Sequence, residues 1–341
     1  MRIAKLLKKV LALAVLGGIL GGAWLVQHVR SGIQPMPSGT EPKYVRYDAS
    51  MPLTHALLDL QARKVVRDAD ALRWYALYRR KSGPITAGTY ALHPGMSADE
   101  ILDSLHLPIR QMVRIPETNW SNRTSRLLEQ KEVVQSADYQ LLVKQPQLFQ
   151  KEVGFPLPKT TLEGYLWPDT YDLPPMLGAR AVIEKQLKAF EKKVWIPLGK
   201  PENLNKALIV ASLVELEVAR DEERPIVAGV IYNRLKKGMP LQIDSTILYA
   251  QDRWHEPSRR DIRNTESPYN TYKHKGLPPT PVCSPSFKSI LAALHPEKTK
   301  YLYYVALPDG HSLFAGDPAG HQKNIALRKA ALALLHVGGT H

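Results

Sequence analysis

The chain is poor in cysteine and in acid. Its one cysteine, Cys283, excludes an intrachain disulfide and a thiolate-based zinc site, so packing alone must hold the fold. No His-Glu-x-x-His, no Gly-x-Ser-x-Gly and no phosphate-binding glycine loop occurs, and the 11 histidines are scattered without ligand spacing. Metal and cofactor chemistry are therefore not expected. Asp and Glu number 32 against 46 Lys and Arg, a net charge of +14, which excludes an acidic tail protein. What remains is an ordinary globular composition, 44% hydrophobic and 23% charged over 341 residues, enough for about two domains with their own cores.

One apolar run stands out. Val10 to Val26 carries no charge and no strongly polar side chain, about 26 Å of helix and long enough to span a bilayer. Arg2, Lys5, Lys8 and Lys9 precede it, and the positive-inside rule leaves residues 1–9 in the cytoplasm and the rest of the chain outside. A cleaved signal peptide is the competing reading, although such peptides have a shorter apolar core of ~7–15 residues. The small-residue run Gly17 to Gly22 fits close helix approach, or simply the abundance of glycine in spanning helices. Residues 27–43, rich in Gly, Pro and Ser, read as a mobile tether. A basic surface suits nucleic acid, anionic lipid or a polyanionic wall polymer, and export argues against the first.

Three stretches after the tether share an extended segment, a turn and a helix, which suggests a degenerate repeat within an α+β region. In the middle one, Ser97 and Glu100 form a capping box before Ile101, Leu102 and Leu105. Residues 136–160 read as a variable insertion. Beyond Thr161, Leu204, Ala207, Leu208 and Ala211 repeat at helical spacing, and Ala207 to Val214 has only Ser212 as a polar interruption. That helix should be buried nearly all round. A second helix should run from Pro225 to a stop at Gly238.

Glu215 lies on the apolar stripe of the first helix, at i+11 from Leu204. Burial and a nearby helix C-terminus both disfavour its charge, which suits a general acid of glycoside cleavage. The competing reading pairs it with a buried arginine such as Arg234. Glu217, turned about 200° from it, reads as a surface or supporting residue. Asp221, Glu222 and Glu223 read as a solvated turn. Aromatic residues including Trp167, Tyr249, Trp254, Tyr269, Tyr272 and Tyr304 suit sugar stacking or the core.

Several runs together carry a resemblance: Glu163 to Tyr171 (EGYLWPDTY), Ala211 to Glu217 (ASLVELE), Glu223-Arg224-Pro225, Val227 to Leu235, Gly238 to Thr246, Ser267 to Tyr272, Gly276 to Pro279 and Ala292 to Val305. In order and spacing the chain resembles the endolytic murein transglycosylase (YceG-like) family. The resemblance implies an α+β fold: a membrane anchor at 10–26, a small LysM-like module at 44–110 and a catalytic domain at 111–341 with a buried central helix. It implies cleavage of nascent peptidoglycan between N-acetylmuramic acid and N-acetylglucosamine, leaving a 1,6-anhydro end, at the inner membrane and in possible contact with peptidoglycan synthases. Glu215 stands at the catalytic position. Glu163, Gln242, Tyr269, Asn270 and Tyr272 are substrate-site candidates. A catalytically silent peptidoglycan-binding scaffold is the alternative. The chain departs from the family pattern at Val218 and over Pro279 to Ser286, and after Ile115-Pro116-Glu117 the usual Gly is missing.

Overall fold

The computed structural model describes residues 2–37 and 41–337. The chain separates into two units: one of residues 1–111 with 174–177, the other of 112–173 with 178–341.

In the first unit, α1 (Arg2–Gly32) contains the segment Leu6–Gly32, whose most apolar 18 residues have a mean hydropathy of 2.0, long and apolar enough to cross a membrane. The helix runs past Val26, so the first residues of the expected tether are helical. Those that follow are pinned: Ile33 packs on the core of this unit, and the Met36 N–H donates to Pro94 O at 2.7 Å. The tether positions 38–40 lie outside the described residues.

β1 (Lys43–Tyr47), α2 (Leu53–Ala62), α3 (Ala69–Tyr78), β2 (Gly88–Leu92) and α4 (Ala98–Ser104) follow. β1 and β2 pair antiparallel with Val45 opposite Tyr90. The two strands expected to open separate repeats are thus one ribbon, because each needs the other to satisfy its backbone donors. Leu57, Leu60, Ile85, Leu92 and Leu102 fill the core beneath it. Asp68 caps α3 through the N–H groups of Asp70 and Ala71, and the Ser97–Glu100 capping box starts α4.

The second unit opens with β3 (Met112–Arg114), α5 (Ser121–Gln130) and α6 (Ser136–Val143), then a 3₁₀ turn at Pro146–Glu152. β3 pairs with β4 (Thr170–Asp172), so the third strand–helix stretch belongs here and is no repeat of the others. Residues 136–160, expected to be a variable insertion, are packed into this unit. Tyr139 and Phe149 are fully buried, and the Tyr139 hydroxyl donates to Gln186 Oε1 at 2.7 Å; the isolated apolar positions of this segment are core anchors. α7 (Ala179–Phe190) continues into a π-helical turn ending at Trp195, and Phe155, Tyr165, Phe190 and Trp195 cluster.

α8 (Leu204–Glu217), α9 (Arg224–Lys236) and α12 (Phe287–Leu294) pack together, with α10 (Asp244–Gln251) and α11 (Arg259–Asn264) between the last two in sequence. Every residue of α8 from Ala207 to Val214 is buried. On α9, Gly229 allows a close approach: a Cβ there would meet Glu297 O at 2.4 Å. The hairpin β5 (Tyr303–Ala306) and β6 (Ser312–Ala315) and the helix α13 (Pro318–Val337) complete the unit.

Candidate active site

α8 carries two glutamates in its last turn, and its neighbours treat them differently. Ser212 and Glu215, three residues apart, face the segment 282–286. The Val282 N–H donates to Ser212 Oγ at 3.0 Å, and Glu215 Oε2 accepts from Ser286 N–H at 2.9 Å and Ser286 Oγ at 2.6 Å. The Arg224 guanidinium lies 3.3 Å from the same oxygen and also donates to Ser289 Oγ at 2.6 Å. Both partners of this ion pair are nearly enclosed, with side chains 7% and 10% exposed. Glu215 thus meets a buried arginine, but it is Arg224 and not Arg234. Arg234 instead donates to Leu302 O and Leu241 O, each at 2.6 Å.

Glu217 turns to the other side, and that side is not solvent. Because α8 is enclosed by packed elements, a rotation of about 200° points a side chain at another neighbour. Ser245 Oγ, in the first turn of α10, donates to Glu217 Oε1 at 3.0 Å, and the Tyr304 hydroxyl donates to Oε2 at 3.0 Å. Burial pushes this carboxyl above the ordinary range; the two hydroxyls pull it back and neighbouring Asp244 pushes it up again. Its position at the C-terminal end of α8 acts in the same sense. The residue as a whole is only partly buried. Asp244 accepts a hydrogen bond from the Tyr272 hydroxyl, which brings that substrate-site candidate to the Glu217 side of α10.

One turn further along α10, Tyr249 serves a third carboxylate. Glu163 is 1% exposed. It accepts from Ser121 N–H at 3.1 Å on both oxygens, from Ser121 Oγ at 2.7 Å and from the Tyr249 hydroxyl at 3.4 Å. Burial outweighs these donors and pushes its pKa up to about 7. Gly164, with φ +82°, makes the turn that seats it; a Cβ there would lie 2.5 Å from Pro281 Cγ.

A groove of about 530 Å³ opens beside Glu163, lined by Trp120, Ser121, Gln140, Tyr249, Tyr269 and Thr280 among others. Trp120 is anchored by its Nε1–H to Asp252 Oδ1 at 2.7 Å, and Asp252 closes α10 in the left-handed region. Arg123 lies over both Trp120 and the exposed Trp254. Tyr269 packs on Tyr249, their ring centres 4.8 Å apart, and its hydroxyl shares a 2.7 Å hydrogen bond with Thr280. A second cavity of about 400 Å³, between Pro158, Thr161, Tyr165 and Pro281, is the one that Glu163 itself lines. Flat rings beside hydroxyl and amide groups match the faces and edges of a sugar.

The remaining candidates separate. Asn270 is fully buried: its Nδ2 donates to Ile262 O and Thr265 O, and its Oδ1 accepts from the N–H of Tyr272 and Lys273. It builds the loop that presents Tyr269 and Tyr272. Gln242 is exposed, at φ +54°, and its N–H donates to Thr271 O at 3.1 Å. Trp167 is buried in the core. The acidic turn is only partly solvated: Asp221 pairs with Arg224 and Lys288, while Glu223 is buried and accepts from Ser312 N–H at 2.8 Å. Among the described residues no cluster of His, Cys, Asp and Glu has the arrangement of a metal site. Sequence reasoning missed Ser121 and Ser245 as partners of Glu163 and Glu217, and Trp120 as a wall of the groove. A serine opening a helix reads as a cap, and nothing local shows that it faces a distant glutamate.

Relatives bear on this arrangement. A protein named endolytic murein transglycosylase from Bacillus subtilis is 30% identical over 89% of this chain and 89% of its own length. One of the same name from Streptococcus pneumoniae is 30% identical over 93% of this chain, which spans 63% of that longer protein. The crystal structure of a yceG-like protein from Listeria monocytogenes superposes with a TM-score of 0.55 at 28% identity, covering 84% of this chain and 99% of that one. The profile of the YceG-like family matches residues 47–327, a stretch that takes in both α8 glutamates, Glu163 and the aromatic groove, and the chain belongs to that family.

Proposed function

We propose that the protein is a membrane-anchored endolytic peptidoglycan lytic transglycosylase, with α1 as the anchor and Glu217, rather than Glu215, as the proton-carrying group. Two glutamates two residues apart stand on α8, and only one is suited to the task. A general acid must hold a proton at neutral pH, release it, and take one back. Glu215 is held by a guanidinium and by two donors of Ser286, all on Oε2, and fastens the 282–286 segment to α8 and α9. Glu217 is held by two neutral hydroxyls, and burial raises its pKa. That contrast carries the assignment. Glu163, also raised, is almost fully enclosed and stands behind the groove.

In this scheme the Glu217 carboxylic acid protonates the glycosidic oxygen between N-acetylmuramic acid and N-acetylglucosamine, and the bond from C1 to that oxygen breaks. The resulting carboxylate takes the proton of the muramoyl C6 hydroxyl, whose oxygen bonds to C1 and closes the 1,6-anhydro ring. No water is consumed, so no second carboxylate is needed to activate one, unlike the two-carboxylate hydrolases. The rings of Tyr249 and Tyr269, backed by the buried Trp120, would stack on the strand, and Tyr272 would hold Asp244 beside the acid. The β-α-α-β order of the first unit is in keeping with a LysM-like glycan-binding module.

The test is digestion of purified, uncrosslinked glycan followed by mass spectrometry of the products. Anhydro ends are expected. Products heavier by one water would mean a hydrolase, and no cleavage by a folded protein would favour a binding scaffold.

A further inference from the structure

α1 does not stop where a bilayer would. The segment Leu6–Gly32 is 27 residues and about 40 Å long, against roughly 30 Å of hydrocarbon, and its apolar run ends at Val26, before Gln27, His28 and Arg30. The surplus belongs at headgroup depth, and there the helix meets α3. Gly32 lies so close that a Cβ would be 2.3 Å from Ala71 Cβ, and His28 Nε2 sits 3.6 Å from Asp68 Oδ2. With Ile33 in the core and Met36 tied to Pro94, the first unit is fixed on the end of α1 and cannot swing freely about it.

This fixed attachment decides which face meets the bilayer. Ala69, Leu72 and Ala76 of α3 point into the core. A second apolar stripe, Trp74, Leu77 and Tyr78, points away from it and is 42%, 46% and 81% exposed. Between this stripe and Leu25, Val26 and Val29 of α1 runs an open apolar channel of about 620 Å³. Arg30 of α1 lines it, Arg73 lies over the Trp74 ring, and Arg79, Arg80 and Lys81 follow directly on the stripe in sequence. Asp70, Asp99 and Asp103 pair with Arg73, Arg79 and Lys81.

We propose that this face is a membrane-docking surface, which seats Trp74, Leu77 and Tyr78 in the interfacial layer of the leaflet from which α1 emerges. The inference rests on α1 being a membrane span. The occupant is phospholipid because the stripe continues the surface of the apolar helix at headgroup depth. Tryptophan and tyrosine favour that layer, and the bordering cations suit lipid phosphates. Docking would set the height and tilt of the first unit over the membrane.

The experiment uses the full chain in vesicles of phosphatidylethanolamine and phosphatidylglycerol, with Cys283→Ser to leave one label site. Nitroxides at Ala14→Cys and Tyr78→Cys are compared by power saturation with oxygen and a water-soluble nickel complex. The label at 14 reports the span, and the label at 78 reports docking. Docking predicts that position 78 is shielded from nickel, at headgroup depth. Full nickel access at 78 with position 14 in hydrocarbon would overturn the docking and leave the span standing; nickel access at both would overturn the span as well. Spin–spin broadening at 78 that disappears on dilution with unlabelled chain would assign the face to a second copy and overturn the lipid assignment. In the chain with native Cys283, quenching by brominated lipid should fall by about half in Trp74→Phe, leaving Trp24 of the span as the quenched residue. Unchanged quenching would contradict the proposal.

Discussion

At the scale of single residues, the chemistry depends on how burial and donors divide three glutamates. Glu163 has the clearest consequence for pH. Its folded-state pKa of about 7 lies above the ordinary glutamate value, so the folded protein binds a proton more tightly than the unfolded chain. Its contribution is fully present below the unfolded value and is lost as pH rises toward 7, an effect on the order of 3 kcal/mol. Thermal unfolding of the wild type should therefore weaken from about pH 5 to pH 7 more steeply than that of Glu163→Gln, which cannot ionise. Equal slopes would show that the site keeps its charge. Arg224→Met should be destabilising by about 3–5 kcal/mol, because it leaves the enclosed Glu215 carboxylate without its counter-ion. Chemical denaturation measures that loss directly.

At the scale of elements, close approaches make equally definite predictions. Gly229→Ala on α9 drives a methyl group into Glu297 O, and the backbone on one side must move. A loss of about 1–3 kcal/mol is expected, seen as a lower unfolding midpoint. A midpoint unchanged from wild type would mean that α9 and the Glu297 segment are less closely held. The elements best legible in the sequence were those with local signals: the capping box at Ser97, the stop at Gly238, the apolar run of α8. Pairings between distant segments were not legible. β1 finding β2, or β3 finding β4 across more than fifty residues, leaves no local mark, and the similar strand–helix stretches suggested a repeat instead. The site was obscured for a related reason. Helical phase shows that Glu215 and Glu217 face opposite ways, but not that the first meets an arginine and the second two hydroxyls. With α8 enclosed on both sides, the rule that the face opposite an apolar stripe is solvated does not apply.

At the scale of the whole molecule, an apolar N-terminal helix, a small unit fixed to its end and a larger unit bearing the carboxylates fit the proposed work on glycan beside a membrane. The pH dependence of cleavage should follow the group that carries the proton. Since the Glu217 pKa is raised, activity requiring its protonated form should persist above the ordinary carboxylate range and fall as pH rises through that raised value. Steady-state rates on soluble glycan fragments across pH would show the falling limb. The most direct measurement compares Glu217→Gln with Glu215→Gln, both checked for folding, on uncrosslinked glycan with anhydro ends counted by mass spectrometry. Glu217→Gln is expected to abolish the anhydro product, while Glu215→Gln, if it remains folded, keeps it at a reduced level. Full activity in Glu217→Gln, with complete loss in a well-folded Glu215→Gln, would contradict the assignment of the acid.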